Sequence, residues 1–194
     1  MKLFSFLFLM GAFLTVFSAP GAEVNVAKSK VIWKGSKVIG SFHTGEVNVQ
    51  SAKVDYKDGE PISGQVVVDM TSIVDKDLTD KKMNQKLIGH LKSDDFFGVE
   101  KYKTATLDLE KIQKASDKFY LLTGKLTIKG KTLPITLKAE VKRETKTEQV
   151  VQVAFNFDRT KYDIKYGSGS FFSDLGDKMI SDDVQMNVEL YIKK

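Results

Sequence analysis

Apolar and polar residues alternate with a period of two over much of the chain. Leu133, Ile135, Leu137, Ala139 and Val141 oppose Thr136, Lys138 and Glu140. Val151, Val153, Phe155 and Phe157 oppose Gln152 and Asn156, and Val184, Met186, Val188, Leu190 and Ile192 oppose Gln185, Asn187 and Glu189. Successive side chains of a strand point to opposite faces, so each segment predicts a long antiparallel strand, dry on one side and wet on the other. Weaker alternation predicts strands over 24–33, 38–49, 52–56, 62–70, 104–112 and 118–128, with glycine-containing turns at 57–61 and 128–132. Eight or nine strands that are each apolar on one face must share one interior. A sandwich or a closed barrel provides it, and closure also removes exposed edges.

One segment, LTDKKMNQKLIGHLKSDDFF (78–97), has helical spacing instead. Met83, Leu87, Ile88 and Leu91 fall within an arc of about 140° at 100° per residue, and Thr79 or Asp80 can cap the start. His90 sits at the edge of that arc as a packing residue. Ser93 and Asp94 read as the cap of a following short turn, which Phe96 and Phe97 anchor on the core. The chain is therefore all-β with one short amphipathic helix.

The N-terminus changes the picture of the compartment. MKLFSFLFLMGAFLTVFSAPGA carries one Lys, an apolar run from Leu3 to Phe17 and then small residues, the parts of a secretory signal peptide; the run is too short to span a membrane. Cleavage after Ser18 or after Ala22 fits, and the second is preferred. Taking 1–22 as the signal leaves 172 of the 194 residues, 23–194, enough for one domain. The formal charge of +5 includes Lys2, and charges of both signs are interspersed, which speaks against a nucleic-acid-binding stripe. A mildly basic exported domain leaves room for transient contact with an anionic membrane surface, and for a homodimer. Without Cys there is no disulfide framework and no thiolate metal site.

Several chemical motifs fail on spacing. Gly124 lies one position too far from Gly130 for a phosphate loop, and Pro134 follows where a helix must begin. Asp75, Asp77 and Asp80 suggest a calcium loop, but Asp80 stands where Gly is required and Lys86 where Glu is required. With only His43 and His90 the chain lacks a nucleophile–base arrangement, and a two-histidine zinc site would need those two to meet beside a carboxylate. No metal ligand, catalytic residue or cofactor is assigned.

HLKSDDFFGVEKYKTATL, then GKLTIKGKTLPITL, then FNFDRTKYDIKYGSGSFFSDLGDKMISDDVQMNVEL, preceded by WKGSKVIGSFHTGEV and DMTSI, resembles the YceI-like family over roughly residues 23–194. Matching positions include His90, Leu91, Ser93, Asp95, Phe96 and Phe97, and Gly124, Leu126, Thr127, Gly130, Thr132 and Pro134; Gly98 and Lys103 depart from the usual residues. The resemblance implies a periplasmic, eight-stranded antiparallel lipocalin-like β-barrel enclosing an apolar cavity. It also implies a polyisoprenoid or other long-chain lipid as ligand, such as an isoprenoid quinone or a polyprenyl phosphate. It brings no catalytic set.

The expected ligand-binding residues are therefore inward-facing ones: Trp33, Met70, Leu137, Val153, Phe155, Phe157, Met186 and Val188. For a head group, strict alternation with Val47 and Val49 turns His43 inward, whereas a bulge at Gly45 turns Phe42 inward. Arg159, Tyr162 and Tyr166, with Phe171 and Phe172, lie in a long loop after a strand that can form a mouth or lid. The expected function is an exported protein that sequesters or transports a polyisoprenoid-type amphiphile. The alternatives are a quinone-linked redox helper or enzyme, and a filled-barrel structural or stress interaction domain.

Overall fold

The computed structural model of the protein describes residues 21–194, so most of the expected signal segment lies outside the described residues. Nine strands run in chain order: β1 (Ala22–Glu23), β2 (Lys30–Ser36), β3 (Phe42–Lys57), β4 (Glu60–Asp75), β5 (Thr104–Lys114), β6 (Phe119–Ile128), β7 (Lys131–Glu144), β8 (Glu148–Asp158) and β9 (Asp183–Lys193). One α-helix among the described residues, α1 (Lys81–Lys92), joins β4 to β5. The named strands pair antiparallel throughout, in the order β3-β2-β9-β8-β7-β6-β5-β4, and β4 pairs back onto β3. That last pairing closes an eight-stranded barrel. The two-residue β1 continues the wall beside β3 where β2 stops, and Val24 bridges to Ile192.

The three long alternating segments form β7, β8 and β9 as expected. The weaker ones shift. The segments 38–49 and 52–56 are one 16-residue strand with a register irregularity between Val49 and Ser51, while Val38 lies in the β2–β3 connection. The β2–β3 register is unbroken from Val31 opposite Val47 to Ser36 opposite Phe42. His43 consequently shares a face with Gly45 and Val47, and Phe42 takes the other face, half exposed under the Lys34 ammonium. Of the two alternatives, the register is that of strict alternation, and the one in which a bulge at Gly45 turns Phe42 inward does not occur.

The larger irregularity is in β4. Asn48 pairs with Asp69 and Glu46 with Val74, so the residues 70–73 bulge out of register. Ser72 stabilises the bulge, its hydroxyl donating to the Asp69 carbonyl at 2.6 Å and accepting from the Asn48 N–H at 2.8 Å. A bulge inverts the in–out alternation beyond it. Met70 and Ile73 are both buried, Val74 is exposed, and Asp75 enters the interior opposite Gly45.

In α1, Asp80 is the N-cap, accepting from the Met83 N–H at 2.8 Å. Leu91 is buried, but Met83 is half exposed, so the apolar arc is narrower than its sequence period suggested. Ser93 does open the expected short turn at 94–97, its carbonyl accepting from the Phe96 N–H at 3.1 Å and the Gly98 N–H at 2.8 Å. It also closes the helix, its N–H reaching the Gly89 and His90 carbonyls and its hydroxyl donating to His90 O at 2.7 Å.

Gly45 fixes the approach of three strands. A Cβ there would lie 1.8 Å from the Val74 carbonyl oxygen and 2.5 Å from the Trp33 ring, so only glycine fits. Gly89, by contrast, is an exposed helix-interior glycine with nothing within 4 Å of such an atom. Gly45→Ala is expected to cost about 3 kcal/mol or more through overpacking, and Gly89→Ala to gain about 0.5–1 kcal/mol through helix propensity. Urea unfolding of the two variants checks both signs.

Candidate functional site

Two groups of residues inside the barrel are candidates: an apolar cavity, and a polar cluster at the rim of the end that carries α1. The cavity has a volume of about 180 Å³. β2 contributes Val31 and Trp33, β4 Val66, Val68, Met70 and Ile73, β8 Val153, Phe155 and Phe157, and β9 Val184, Met186, Val188 and Leu190. The alternation of each strand produces this lining directly. Towards the other end, Val49, Val54 and Ile192 are buried together in one apolar cluster and line no part of the cavity. The interior is thus packed at one end and keeps an apolar cavity towards the other.

Of the residues expected to bind ligand, Trp33, Met70, Val153, Phe155, Phe157, Arg159, Met186 and Val188 line the cavity. Leu137 does not: it is buried against Leu122, Ala139 and Val153, and β7 supplies no lining residue. Tyr162 is buried edge-on to Phe157 with ring centroids 5.7 Å apart, and burial pushes its phenol pKa up. Tyr166, Phe171 and Phe172 lie on the surface, each about half exposed, so they contact no cavity space.

The sequence reading missed α1 and the turn after it as part of the site. Leu91, Phe96 and Phe97 face the cavity, and His90 stacks edge-on between Phe96 at 5.0 Å and Tyr166 at 4.4 Å. The signal was present in the paired phenylalanines; what the sequence lacked was the direction in which α1 folds over the barrel.

Arg159 lies on the cavity wall but is not free to hold a head group. It is 2% exposed, and all five of its N–H donors are used. Nε donates to Ser181 O at 3.0 Å, one terminal nitrogen to Ile164 O and Tyr166 O at 2.8 Å each, and the other to Ile180 O at 3.2 Å and the Asp182 carboxylate at 3.4 Å. Burial pulls its pKa down, while Asp182 and Asp158 favour the charged form. A guanidinium suits this hub because it offers five donors in a fixed plane. Arg159 thus binds the 159–182 loop to itself rather than to a ligand.

His43 stands at the rim on the inner face, and there it meets carboxylates. Its Nδ1 is 3.0 Å from Asp77 Oδ2 and 3.8 Å from Asp75 Oδ2. Burial raises the Asp77 pKa, but the Thr44 N–H and His43 outweigh it and hold the carboxyl below its usual range. Two buried polar atoms have no hydrogen-bond partner among the described residues, Trp33 Nε1 and Asp75 Oδ2. Both belong to residues that flank Gly45 in register, Trp33 on β2 and Asp75 on β4.

Comparison with known proteins gives the following. A family model described as the YceI-like domain matches residues 23–192. A UPF0312 protein of Photorhabdus laumondii is 35% identical over 100 residues, which cover 52% of this chain and 50% of that protein; the match spans about half the length of that relative. A UPF0312 protein of Pseudomonas putida is 29% identical over 149 residues, 75% of each chain. Among solved structures, Burkholderia cenocepacia BcnA is similar with a TM-score of 0.69 and 27% identity, covering 87% of this chain and 99% of that one. A domain from Saccharophagus degradans, described as polyisoprenoid binding and implicated in plant cell wall breakdown, has a TM-score of 0.66 at 16% identity, covering 89% and 97%.

Replacing Arg159 leaves four carbonyls and a carboxylate without their donor. Arg159→Met is expected to destabilise the protein by more than about 3 kcal/mol, and Arg159→Lys by less, since an ammonium offers three donors. Urea unfolding measures the cost, and limited proteolysis is expected to cut first within residues 160–182.

Proposed function

The chain belongs to the YceI-like family, and from that premise we propose that its barrel takes up the hydrocarbon chain of a polyisoprenoid-type amphiphile, which the protein sequesters or carries after export across the inner membrane. The observation that carries this reading is the interior cavity, lined almost wholly by apolar side chains from at least six elements of the fold. Protein interiors are close-packed, and a void of this size lined by aliphatic and aromatic groups is costly unless it has a use. The description of the Saccharophagus degradans domain supports the choice of ligand class.

The size of the cavity shapes the proposal. A void of roughly 150 Å³ accommodates benzene, so 180 Å³ holds about one five-carbon unit as it stands. A longer chain enters by parting side chains, and the lining is suited to that: Met70 and Met186 are flexible, unbranched and polarisable. Each further isoprene unit removed from water contributes about 4 kcal/mol at 0.8 kcal/mol per carbon group, before the cost of ordering the chain and displacing the wall.

Binding rather than catalysis is the reading that the lining supports. Arg159 is the single ionisable side chain among the lining residues, and its donors are occupied, so the cavity presents no acid–base pair to a bound quinone or ester. Ala105 on β5 borders the cavity. Ala105→Leu fills part of the space and is expected to lower retention of added isoprenoid quinone or polyprenyl phosphate at least tenfold, with the melting temperature unchanged or raised. Equal retention by the variant and the parent would place the ligand elsewhere.

A further inference from the structure

The rim cluster is built as a ligand set. The Asp75 side chain is fully buried, and its Oδ1 accepts from the Leu78 N–H at 2.8 Å and from Asn84 Nδ2 at 3.1 Å. Asp77 Oδ1 accepts from the Thr44 N–H at 2.6 Å. Each carboxylate is therefore anchored through one oxygen and presents the other to His43 Nδ1, and these three atoms lie within 4.8 Å of one another. An imidazole Nδ1 carries at most one proton, which serves one carboxylate. The 3.0 Å contact uses it on Asp77, and the Asp75 oxygen is left buried and bare. Trp33 Nε1, the other unpartnered polar atom, is a single neutral donor and cannot offset two carboxylates.

We propose that His43 Nδ1, Asp75 Oδ2 and Asp77 Oδ2 form a binding site for a zinc-type divalent cation. One such ion satisfies all three atoms at once and replaces the Nδ1 proton, which leaves to solvent. With metal–ligand bonds of about 2.1 Å, neighbouring donors in a tetrahedral site lie about 3.4 Å apart; the two distances from Nδ1, 3.0 and 3.8 Å, bracket that value. One imidazole with two carboxylates favours zinc and similar transition ions, whereas calcium and magnesium prefer all-oxygen sets. The Thr44 and Leu78 N–H groups and the Asn84 amide hold the carboxylates in place from outside, as metal ligands are commonly held. His43 and Asp77 are about one-third exposed at their side chains, so a fourth position is open to water.

The bulge in β4 makes the site. Unbroken alternation after Val68 and Met70 would turn Val74 inward and Asp75 outward; the 70–73 irregularity reverses this and brings Asp75 opposite Gly45, two residues along β3 from His43. The inference stands independently of what the cavity holds.

The test is calorimetric titration of Zn²⁺ into the untagged, chelator-treated protein at pH 7.5. One equivalent is expected to bind at micromolar or tighter affinity, to raise the melting temperature, and to resist displacement by millimolar Ca²⁺ or Mg²⁺. His43→Ala, Asp75→Asn and Asp77→Asn are each expected to weaken binding at least tenfold. Asp75 also caps the segment before α1; if Asp75→Asn fails to fold, the two more exposed positions carry the test. Absence of Zn²⁺ binding by the parent, or binding that survives both His43→Ala and Asp77→Asn, would overturn the proposal.

Discussion

The structure depends on one closure, the pairing of β3 with β4. Every strand is apolar on one face only, so the wall is stable only if it curves until its two edges meet. β3 and β4 are 16 residues each, the longest strands, and they meet along most of that length. The seam cannot be regular throughout. The bulge at 70–73 and the Cβ-free approach at Gly45 let β4 bend across the end of β3 and pass into α1. The same local irregularity puts Ile73 on the cavity wall, Asp75 in the rim, and the helix over the open end. Cavity, rim cluster and end cap are thus three results of one bend.

Much of this was legible in the sequence because side-chain alternation is a one-dimensional signal with a three-dimensional meaning. Val153, Phe155 and Phe157, and Met186 and Val188, could be assigned to the interior from their spacing alone, and all five line the cavity. Leu137 obeyed the same rule and is buried, yet it touches no open space. Alternation tells inside from outside; it does not tell which part of the inside is packed and which is empty, since that depends on how neighbouring side chains interlock.

The rest was hidden for reasons that can be named. A bulge leaves no reliable mark in composition, so the parity of Asp75 could not be read, and Asp75 and Asp77 entered only as a failed calcium loop. Arg159, on a loop after a strand, looked like a head-group ligand because charge near a mouth is easily read so; its five carbonyl and carboxylate partners come from 164–182, a segment whose path has no periodicity. Phe42, the alternative to His43 on the inner face, and Phe171, in the expected mouth or lid, are both half exposed. The stretch HLKSDDFF ends the helix at Ser93, and it also places Leu91, Phe96 and Phe97 on the cavity wall.

The barrel thus holds an apolar cavity, with a hydrogen-bonded loop hub around Arg159 at its wall and a polar rim at the end that carries α1. The proposed function requires that a hydrocarbon chain can occupy that cavity. Native mass spectrometry of the protein purified from its own host, followed by solvent extraction, tests it most directly. A bound species with a long polyisoprenoid-type chain, released by organic solvent, is the predicted result. Protein that arrives free of such a species and also refuses added isoprenoid quinone and polyprenyl phosphate would contradict it.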